Sequence, residues 1–181
     1  MPKAKTDRLL RAAMGLLMVA LVYFIYSAIH ERIVVAGDDA PTFSVTADSG
    51  QRVSLPNFGG KVLVLNFWAT WCPPCVQETP SLSEFAAAYK NRGVVVLGIS
   101  VDKDEKAYRG FLQRFSPAFL TVREETIHED YGTYMYPETY IIDTKGRVLK
   151  KIVEPGDWPG NPQRFSDWTD PQLAKYIDSL L

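Results

Sequence analysis

Apolar residues from position 61 onward form two kinds of pattern, continuous runs and helical repeats. The runs KVLVLNF at 61–67 and VVVLGISV at 94–101 lack alternation, which is typical of strands buried on both faces of a parallel sheet. Between them, residues 76–89 place apolar side chains at helical spacing, with Pro73 and Pro74 suited to the first turn. Asn91-Arg92-Gly93 is typical of a helix end. The pattern therefore predicts a strand–helix–strand unit with parallel strands.

Shorter patterns predict the remaining elements. These are a hairpin over residues 42–46 and Arg52–Ser54 that turns at 48–50, a helix at Glu105–Phe115, a strand at 119–122, a second hairpin over 139–143 and 147–153, and a last helix at 172–181. Asp170 is the expected N-cap of that last helix and Pro171 its first helical residue. Residues 154–169, rich in Pro, Gly and Asp, predict a loop that packs at most through Trp158, Phe165 or Trp168.

The N-terminus carries a separate apolar segment. Residues 12–29 contain no charged residue. As a helix of about 1.5 Å per residue they approach the ~30 Å of a bilayer's hydrocarbon core. We therefore expect a basic cytoplasmic segment at 1–11, a membrane-spanning signal-anchor at 12–29, a linker at 30–38 and one domain at 39–181.

Basic residues set the expected orientation of this segment. Lys3, Lys5, Arg8 and Arg11 precede it and only Asp7 opposes them, which favours a cytoplasmic N-terminus. The domain would then lie on the periplasmic, extracytoplasmic side of the inner membrane as part of a single-pass protein. A cleaved signal peptide is the alternative, because small residues at 34–36 precede a cleavage position.

Charge and cysteine content narrow the function. Without residues 1–36 the chain keeps 15 basic and 19 acidic residues, a net charge of −4, which argues against a nucleic-acid partner. Cys72 and Cys75 are the two cysteines of the chain. Outside the cytoplasm disulfides persist, but the chain has no second pair of cysteines that could form a structural disulfide.

The two cysteines lie in Trp71-Cys72-Pro73-Pro74-Cys75, between the predicted strand and the predicted helix. A thiol at the first turn of a helix faces unsatisfied N–H groups and the positive end of the helix dipole, so we expect a lowered pKa for Cys72. Cys72 would form a mixed disulfide with a partner, and Cys75 would then attack it and release the partner reduced.

Metal and haem sites are weaker interpretations of the same motif. Zinc would need two further Cys or His ligands, and the chain offers only His30 and His128. Haem attachment requires histidine where Val76 stands. We therefore expect no metal and no cofactor besides the dithiol, and we expect His128 to be a surface residue.

Three segments resemble the TlpA/ResA-type thiol–disulfide oxidoreductases, which are membrane-tethered proteins of thioredoxin fold. The residues that carry the resemblance are NFWATWCPPC at 66–75, Glu78 with Pro80, and YPETYIID at 136–143. The resemblance implies an α/β thioredoxin-like fold with a central mixed sheet flanked by helices, to which the first hairpin is an N-terminal extension. It also implies reduction of protein disulfides, with apocytochrome c or copper-site assembly proteins as substrates and a membrane thiol transporter of the DsbD/CcdA kind as electron donor.

The resemblance assigns roles to individual residues. Pro137 matches the family's cis-proline beside the disulfide, and the alternative is a trans proline at the start of an edge strand. Glu78 would carry a proton to or from Cys75, and the alternative is an exposed acid near the helix N-terminus. The predicted catalytic residues are thus Cys72, Cys75 and Glu78, and the predicted substrate-contacting residues are Trp71, Pro73, Pro74, Tyr136 and Pro137.

Trp68 and Asn66 complete this interpretation. Trp68 is expected in the core. Asn66 occupies the strand position where classical thioredoxin has a buried aspartate, so proton transfer would need another carboxylate or water.

Three functions remain as alternatives, namely a peroxidase, a copper-delivery module and a purely structural adaptor, which would tolerate the loss of both thiols. Peroxiredoxins share the fold, but they have Pro seven and Thr or Ser three residues before the reactive Cys, where this chain has Leu65 and Ala69. Copper-delivery modules of thioredoxin-like fold resemble Cys-x-x-x-Cys with a distant His, and the spacing here is one residue shorter.

Overall fold

A computed structural model describes residues 3–29, 33–55, 57–153 and 167–181 of the chain. The chain divides into two compact units, Met1–Arg32 and Ile33–Leu181. The first unit contains one helix, α1 (Lys3–Ile29), whose described side chains at 10–26 are all exposed. Residues 12–29, predicted as a membrane span, lie in α1. Among the described residues, however, no helix has the length and apolar character that crossing a membrane requires.

The second unit is built on a five-stranded sheet. The strands of this unit are β1 (Ser44–Thr46), β2 (Arg52–Ser54), β3 (Val62–Trp68), β4 (Val94–Ser100), β5 (Leu120–Arg123), β6 (Glu138–Asp143) and β7 (Val148–Val153). β1 and β2 form the predicted hairpin as a separate antiparallel pair. The main sheet has the order β5-β4-β3-β6-β7, with β3, β4 and β5 parallel and with β6 and β7 joined antiparallel. The predicted mixed sheet is confirmed.

The helices begin and end where local chemistry allows. They are α2 (Pro73–Tyr89), α3 (Glu105–Phe115), α4 (Ile127–Asp130) and α5 (Pro171–Asp178), and a 3-10 turn at Lys90–Arg92 follows α2. Asp170 caps α5 by accepting a hydrogen bond from Gln172 N at 2.7 Å, as predicted. Gly93 ends the 3-10 turn in the left-handed region (φ 93°), which glycine adopts without steric cost.

The two faces of β3 build two parts of the core because successive strand side chains point in opposite directions. Val62 and Val64 pack with Leu82 and Phe85 of α2 and with Ile177 of α5. The opposite face, which includes Leu63, Leu65 and Phe67, packs against the β1–β2 hairpin and Tyr131. All seven residues of β3 are buried, which explains the continuous apolar run.

Several segments differ from their predictions. The sequence predicts no helix at α4, and α5 ends at Asp178, three residues earlier than expected. The linker expected at residues 30–38 is part of the second unit from Ile33 onward. Val34 is buried in its core, and Val34 N donates a hydrogen bond to Tyr131 O at 3.1 Å. Residues 30–32 of the linker and 154–166 of the predicted loop lie outside the described residues.

Candidate active site

Cys72 and Cys75 form a disulfide at the start of α2. Cys72 is the N-cap residue, and its sulfur accepts a hydrogen bond from Cys75 N at 3.3 Å. Pro73 and Pro74 fill the first turn, where a missing N–H removes no helical hydrogen bond. Both cysteines are buried, with 4% of Cys72 and 1% of Cys75 exposed. The predicted position of the dithiol at a helix N-terminus is confirmed.

The loop before β6 reaches the sulfur of Cys72 from the other side. The Tyr136–Pro137 peptide bond is cis, so the trans alternative for Pro137 is wrong. The backbone oxygen of Tyr136 lies 3.3 Å from Cys72 Sγ, close enough to accept a hydrogen bond from the thiol of the reduced form. Residues 64 positions apart thus meet at the reactive sulfur.

Aromatic and proline side chains surround this contact. Trp71 is 64% exposed, and its ring meets the ring of Tyr136 edge-on at 5.8 Å. Pro73 is exposed and Pro74 half-buried beside Cys72. These side chains form an apolar rim beside the sulfur of Cys72. Trp68, by contrast, is buried against Tyr108 and Phe111 of α3, as predicted for a core residue.

Glu78 lies on α2 one turn after Cys75 and is only 3% exposed, which rules out the exposed-acid alternative. Asn66 Nδ2 donates to Glu78 Oε1 at 2.9 Å, and Trp168 Nε1 donates to Glu78 Oε2 at 3.1 Å. Asn66 Nδ2 also donates to Thr139 Oγ1 at 2.9 Å. Hydrogen bonds from N–H donors favour the charged form of a carboxyl group. The site therefore holds a buried carboxyl group, hydrogen-bonded by two N–H donors, on the same helix as Cys75.

A second buried acid, Asp102, was missed at the sequence level. It is 1% exposed and accepts hydrogen bonds from Thr70 N (2.9 Å), Thr70 Oγ1 (2.7 Å) and Ser100 Oγ (2.6 Å). The available signal was its place two residues after the end of β4, because the carboxyl ends of parallel strands share one sheet edge. Asp102 fixes the loop that carries Trp71 and Cys72.

A third buried acid, Glu138, directly follows Pro137. Its Oε1 lies 3.1 Å from Lys151 Nζ and accepts hydrogen bonds from the hydroxyls of Thr133 and Tyr140. Burial, followed by the hydrogen bond to Glu138, raises the pKa of Tyr140 above its usual value. Lys151 of β7 places a positive charge beside Glu138, and this contact links the segment after the cis-proline to β7.

His128 is half-buried and not the surface residue that the sequence predicts. Its Nδ1 lies 2.9 Å from Thr133 O and 3.2 Å from the hydroxyl of Tyr136. Burial, with the charges of Glu138 and Glu129, raises the pKa of Tyr136. The short helix α4 therefore supports the ring of Tyr136. Within the described ranges, no group of three or more His, Cys, Asp or Glu side chains could hold a metal ion.

The arrangement suits thiol–disulfide exchange. The outer sulfur lies at a helix N-terminus, which stabilises a thiolate, and the inner sulfur lies one turn deeper. The carbonyl of Tyr136 and the rim of Trp71 border the outer sulfur. A partner's cysteine can approach along this border, while Cys75 stays covered.

Comparison with known proteins agrees with this chemistry. Residues 35–167 match the Redoxin family. The chain is 32% identical over 155 residues to thiol-disulfide oxidoreductase ResA of Bacillus cereus, covering 82% of this chain and 89% of that protein. It is 37% identical over 144 residues to thioredoxin-like protein YneN of Bacillus subtilis, covering 74% and 84%. Among solved structures, a protein assigned as thiol:disulfide interchange protein DsbE of Chlorobium tepidum superposes with a TM-score of 0.66 at 28% identity, covering 80% and 96%.

Proposed function

The chain belongs to the Redoxin family and is a thiol–disulfide oxidoreductase of the ResA type, and we propose that it reduces disulfides of exported proteins. The observation that carries this proposal is the sulfur of Cys72. It is the N-cap of α2, accepts a hydrogen bond from Cys75 N and borders the carbonyl of Tyr136. A reduced Cys72 in this position is stabilised as a thiolate.

The proposed reaction has two displacements. The Cys72 thiolate attacks one sulfur of the partner's disulfide, so that the partner's other sulfur leaves as a thiolate and takes a proton from water. Cys75 loses its proton and attacks Cys72 Sγ, which restores the Cys72–Cys75 disulfide and releases the second partner thiol. The partner gains two electrons and two protons. A membrane thiol transporter of the DsbD/CcdA kind would then reduce the disulfide again.

Glu78 is the proposed proton acceptor for Cys75 in the second displacement. The thiol of Cys75 is almost fully buried, so water has little access to it. Glu78 is a carboxylate one helical turn away on the same buried face. Glu78 would act there as a general base that removes the proton of Cys75 before Cys75 attacks the mixed disulfide.

The proposed substrates are disulfides in apocytochrome c or in copper-site assembly proteins. Support comes from the resemblance to TlpA/ResA-type proteins and from the shape of the rim. The Tyr136 carbonyl offers an acceptor for the backbone of an extended segment, and the exposed ring of Trp71 offers apolar contact area. An extended cysteine-containing segment of a partner fits these two features.

We also propose that α1 tethers the protein to the inner membrane, with the domain on the extracytoplasmic side. Its described side chains include a dozen large apolar residues that are exposed all round the helix. Such a surface is unfavourable in water and needs an apolar cover. The side chains of 27–29, the end of the uncharged run, lie outside the described residues. A tether would confine enzyme and membrane-bound donor to one surface and raise their effective concentration.

Trapping of mixed disulfides tests the proposed exchange. In cells that produce the full-length chain, the Cys75→Ala variant lacks the resolving thiol, so covalent adducts of exported proteins accumulate at Cys72. The Cys72→Ala variant provides the matched control and forms none. Equal adducts from both variants would overturn the assignment of the two thiols.

Fractionation of the same cells tests the tether, because the chain should sediment with membranes and be protease-accessible from the outer side only.

Glu78→Gln tests the proton acceptor separately. We expect this variant to form the mixed disulfide at the normal rate and to resolve it about 100-fold more slowly, since a positioned general base contributes about 10²–10⁴-fold. Glu84→Gln is the matched control, because Glu84 is an exposed acid on the same helix. Normal resolution by Glu78→Gln would remove Glu78 from the mechanism and leave the exchange itself intact.

A further inference from the structure

Trp168 connects the C-terminal part of the chain to Glu78. Its indole Nε1 donates to Glu78 Oε2 at 3.1 Å, across 90 residues of sequence. Both side chains are buried, with 4% of Trp168 and 3% of Glu78 exposed. The sequence predicts Trp168 only as a possible packing residue of a loop, so this contact has no counterpart among the sequence motifs.

The indole is held rigidly in place. The hydroxyl of Thr169 and its backbone N both donate to Asp167 Oδ1, the latter at 3.0 Å, which forms a tight turn around Trp168 just before α5. The Trp168 ring packs on Phe85 of α2 with ring centroids 5.4 Å apart. Phe85 lies two turns after Glu78 on the same buried face of α2. The N–H of Trp168 is therefore fixed relative to the carboxylate by packing on the helix that carries it.

We propose that Trp168 is a positioning residue for proton transfer, which holds Glu78 Oε2 and sets the pH range in which Cys75 resolves the mixed disulfide. This inference rests on the proposed role of Glu78. An indole N–H donates a hydrogen bond and cannot accept one. It therefore stabilises the carboxylate form of Glu78 and cannot accept a hydrogen bond from the O–H of the protonated form. A ring of similar size without the N–H would keep the packing and lose this preference.

Several groups packed around Glu78 can also influence the ionisation of its carboxyl group. β3 contributes the amide of Asn66, which also donates to Thr139 of β6, and the segment before α5 contributes Trp168. Cys75 lies one turn earlier on the same buried face of α2. On β7, Lys150 shares this face of the sheet as the partner of Ile141, and its Nζ lies 5.6 Å from the Tyr176 ring of α5. Asn66 and Trp168 thus each donate an N–H to one carboxyl oxygen of Glu78.

Trp168→Phe tests the proposal in the full-length reduced protein. The probe is an aromatic disulfide reagent that releases one coloured thiolate when Cys72 attacks and a second when Cys75 resolves. The second phase is unimolecular, and its rate is followed against pH. We expect the midpoint of this profile to move up by about one pH unit, equivalent to ~1.4 kcal/mol, while the first phase keeps its rate.

Phe85→Leu is the matched control. It disturbs the packing of the same indole and keeps the N–H donor, so the midpoint should stay in place even if stability falls. A purely structural Trp168 would instead leave the midpoint unmoved in both variants, and that result would overturn the proposal. If Glu78→Gln leaves the second phase unchanged, the role of Glu78 fails and this inference with it. If Glu78→Gln slows that phase and Trp168→Phe leaves its midpoint in place, only this inference fails.

A direct measurement supports the kinetic one. Carbon-13 NMR of labelled glutamate carboxyl groups in the oxidised protein reports the titration of Glu78 without any thiol reaction, with Glu78→Gln assigning the signal. Trp168→Phe should raise that titration midpoint by the same amount as the kinetic midpoint, and Phe85→Leu should leave it unchanged. An unchanged midpoint in folded Trp168→Phe protein would contradict the proposal.

Discussion

Thr70 donates two hydrogen bonds to the buried carboxylate of Asp102, from its backbone N at 2.9 Å and from its hydroxyl at 2.7 Å. Thr70 lies two residues before Cys72, and Asp102 lies two residues after the end of β4. The loop that presents the sulfur of Cys72 is therefore fixed to the segment after β4 through a carboxyl group that is 1% exposed. Removing one donor leaves a buried acceptor without one of its hydrogen-bond partners.

Thr70→Val should destabilise the protein and slow the attack of Cys72. Valine keeps the shape of the side chain and removes the hydroxyl donor to Asp102. Hydrogen bonds to charged groups contribute about 1.5–3 kcal/mol, so we expect the free energy of unfolding to fall by about 2 kcal/mol. Denaturant unfolding measures the loss, and alkylation kinetics of the reduced protein measure the reactivity of Cys72.

Tyr89→Phe is the control for this variant. It also removes a hydroxyl that donates to a carboxylate, Asp178 Oδ1 at 2.8 Å, at the far end of α2. It should lower stability without changing the alkylation rate of Cys72. Equal effects of both variants on Cys72 would show that the Asp102 contact does not position the dithiol.

Trp71→Ala should weaken substrate binding and leave stability nearly unchanged. The side chain is 64% exposed, so its loss removes contact area for the partner and little from the core. We expect KM for a protein disulfide to rise and the unfolding free energy to change by less than about 0.5 kcal/mol. Trp68→Ala, in the core, should cost about 3–5 kcal/mol. An unchanged KM for Trp71→Ala would show that this ring does not contribute to substrate binding.

Gly98→Ala should destabilise the sheet. A Cβ at this position would lie 2.8 Å from Phe119 Cε2 and 2.9 Å from Trp68 Nε1, closer than side chains tolerate. We expect a loss of about 1–3 kcal/mol in thermal or denaturant unfolding. Gly110→Ala is the opposite case, because a Cβ there meets nothing within 4 Å and Gly110 lies inside α3. It should stabilise the protein by up to about 1 kcal/mol.

Glu124 should contribute stability that acid removes. Burial acts to raise its pKa, but hydrogen bonds from Ile127 N (2.7 Å), Thr126 N and the Thr126 hydroxyl (both 2.9 Å) outweigh burial and lower that pKa below the usual 4.5. The folded protein then binds fewer protons than the unfolded chain, so this contribution is present above about pH 4.5 and is lost as pH falls through the lowered value.

The measurement is the unfolding free energy of Glu124→Gln against pH. We expect the variant to be less stable than the natural protein near neutrality and the difference to shrink at acid pH. Glu125→Gln, at an exposed pair with Arg123, is the control and should show a small difference throughout. A difference for Glu124→Gln that grows in acid would contradict the assigned direction.

Much of the fold could be predicted because its signals are local. The buried strands β3 and β4 follow from continuous apolar runs, and the start of α2 follows from two prolines after a cysteine. The cap of α5 is encoded by Asp170 and Pro171. Each of these signals depends on residues within a few positions of one another, so the sequence displays it directly. The role of Glu78, the tether and the substrates stay predictions.

The strand–helix–strand unit and the dithiol at a helix N-terminus can be predicted from the residues alone, because periodicity and capping act over one or two turns of chain. The groups that surround that dithiol depend on the packing of distant segments. Tyr136 reaches Cys72 across 64 residues, Thr70 reaches Asp102 across 32, and Trp168 reaches Glu78 across 90. Such contacts depend on how helices and strands pack, and no local pattern specifies a hydrogen bond between segments that meet only in the folded chain.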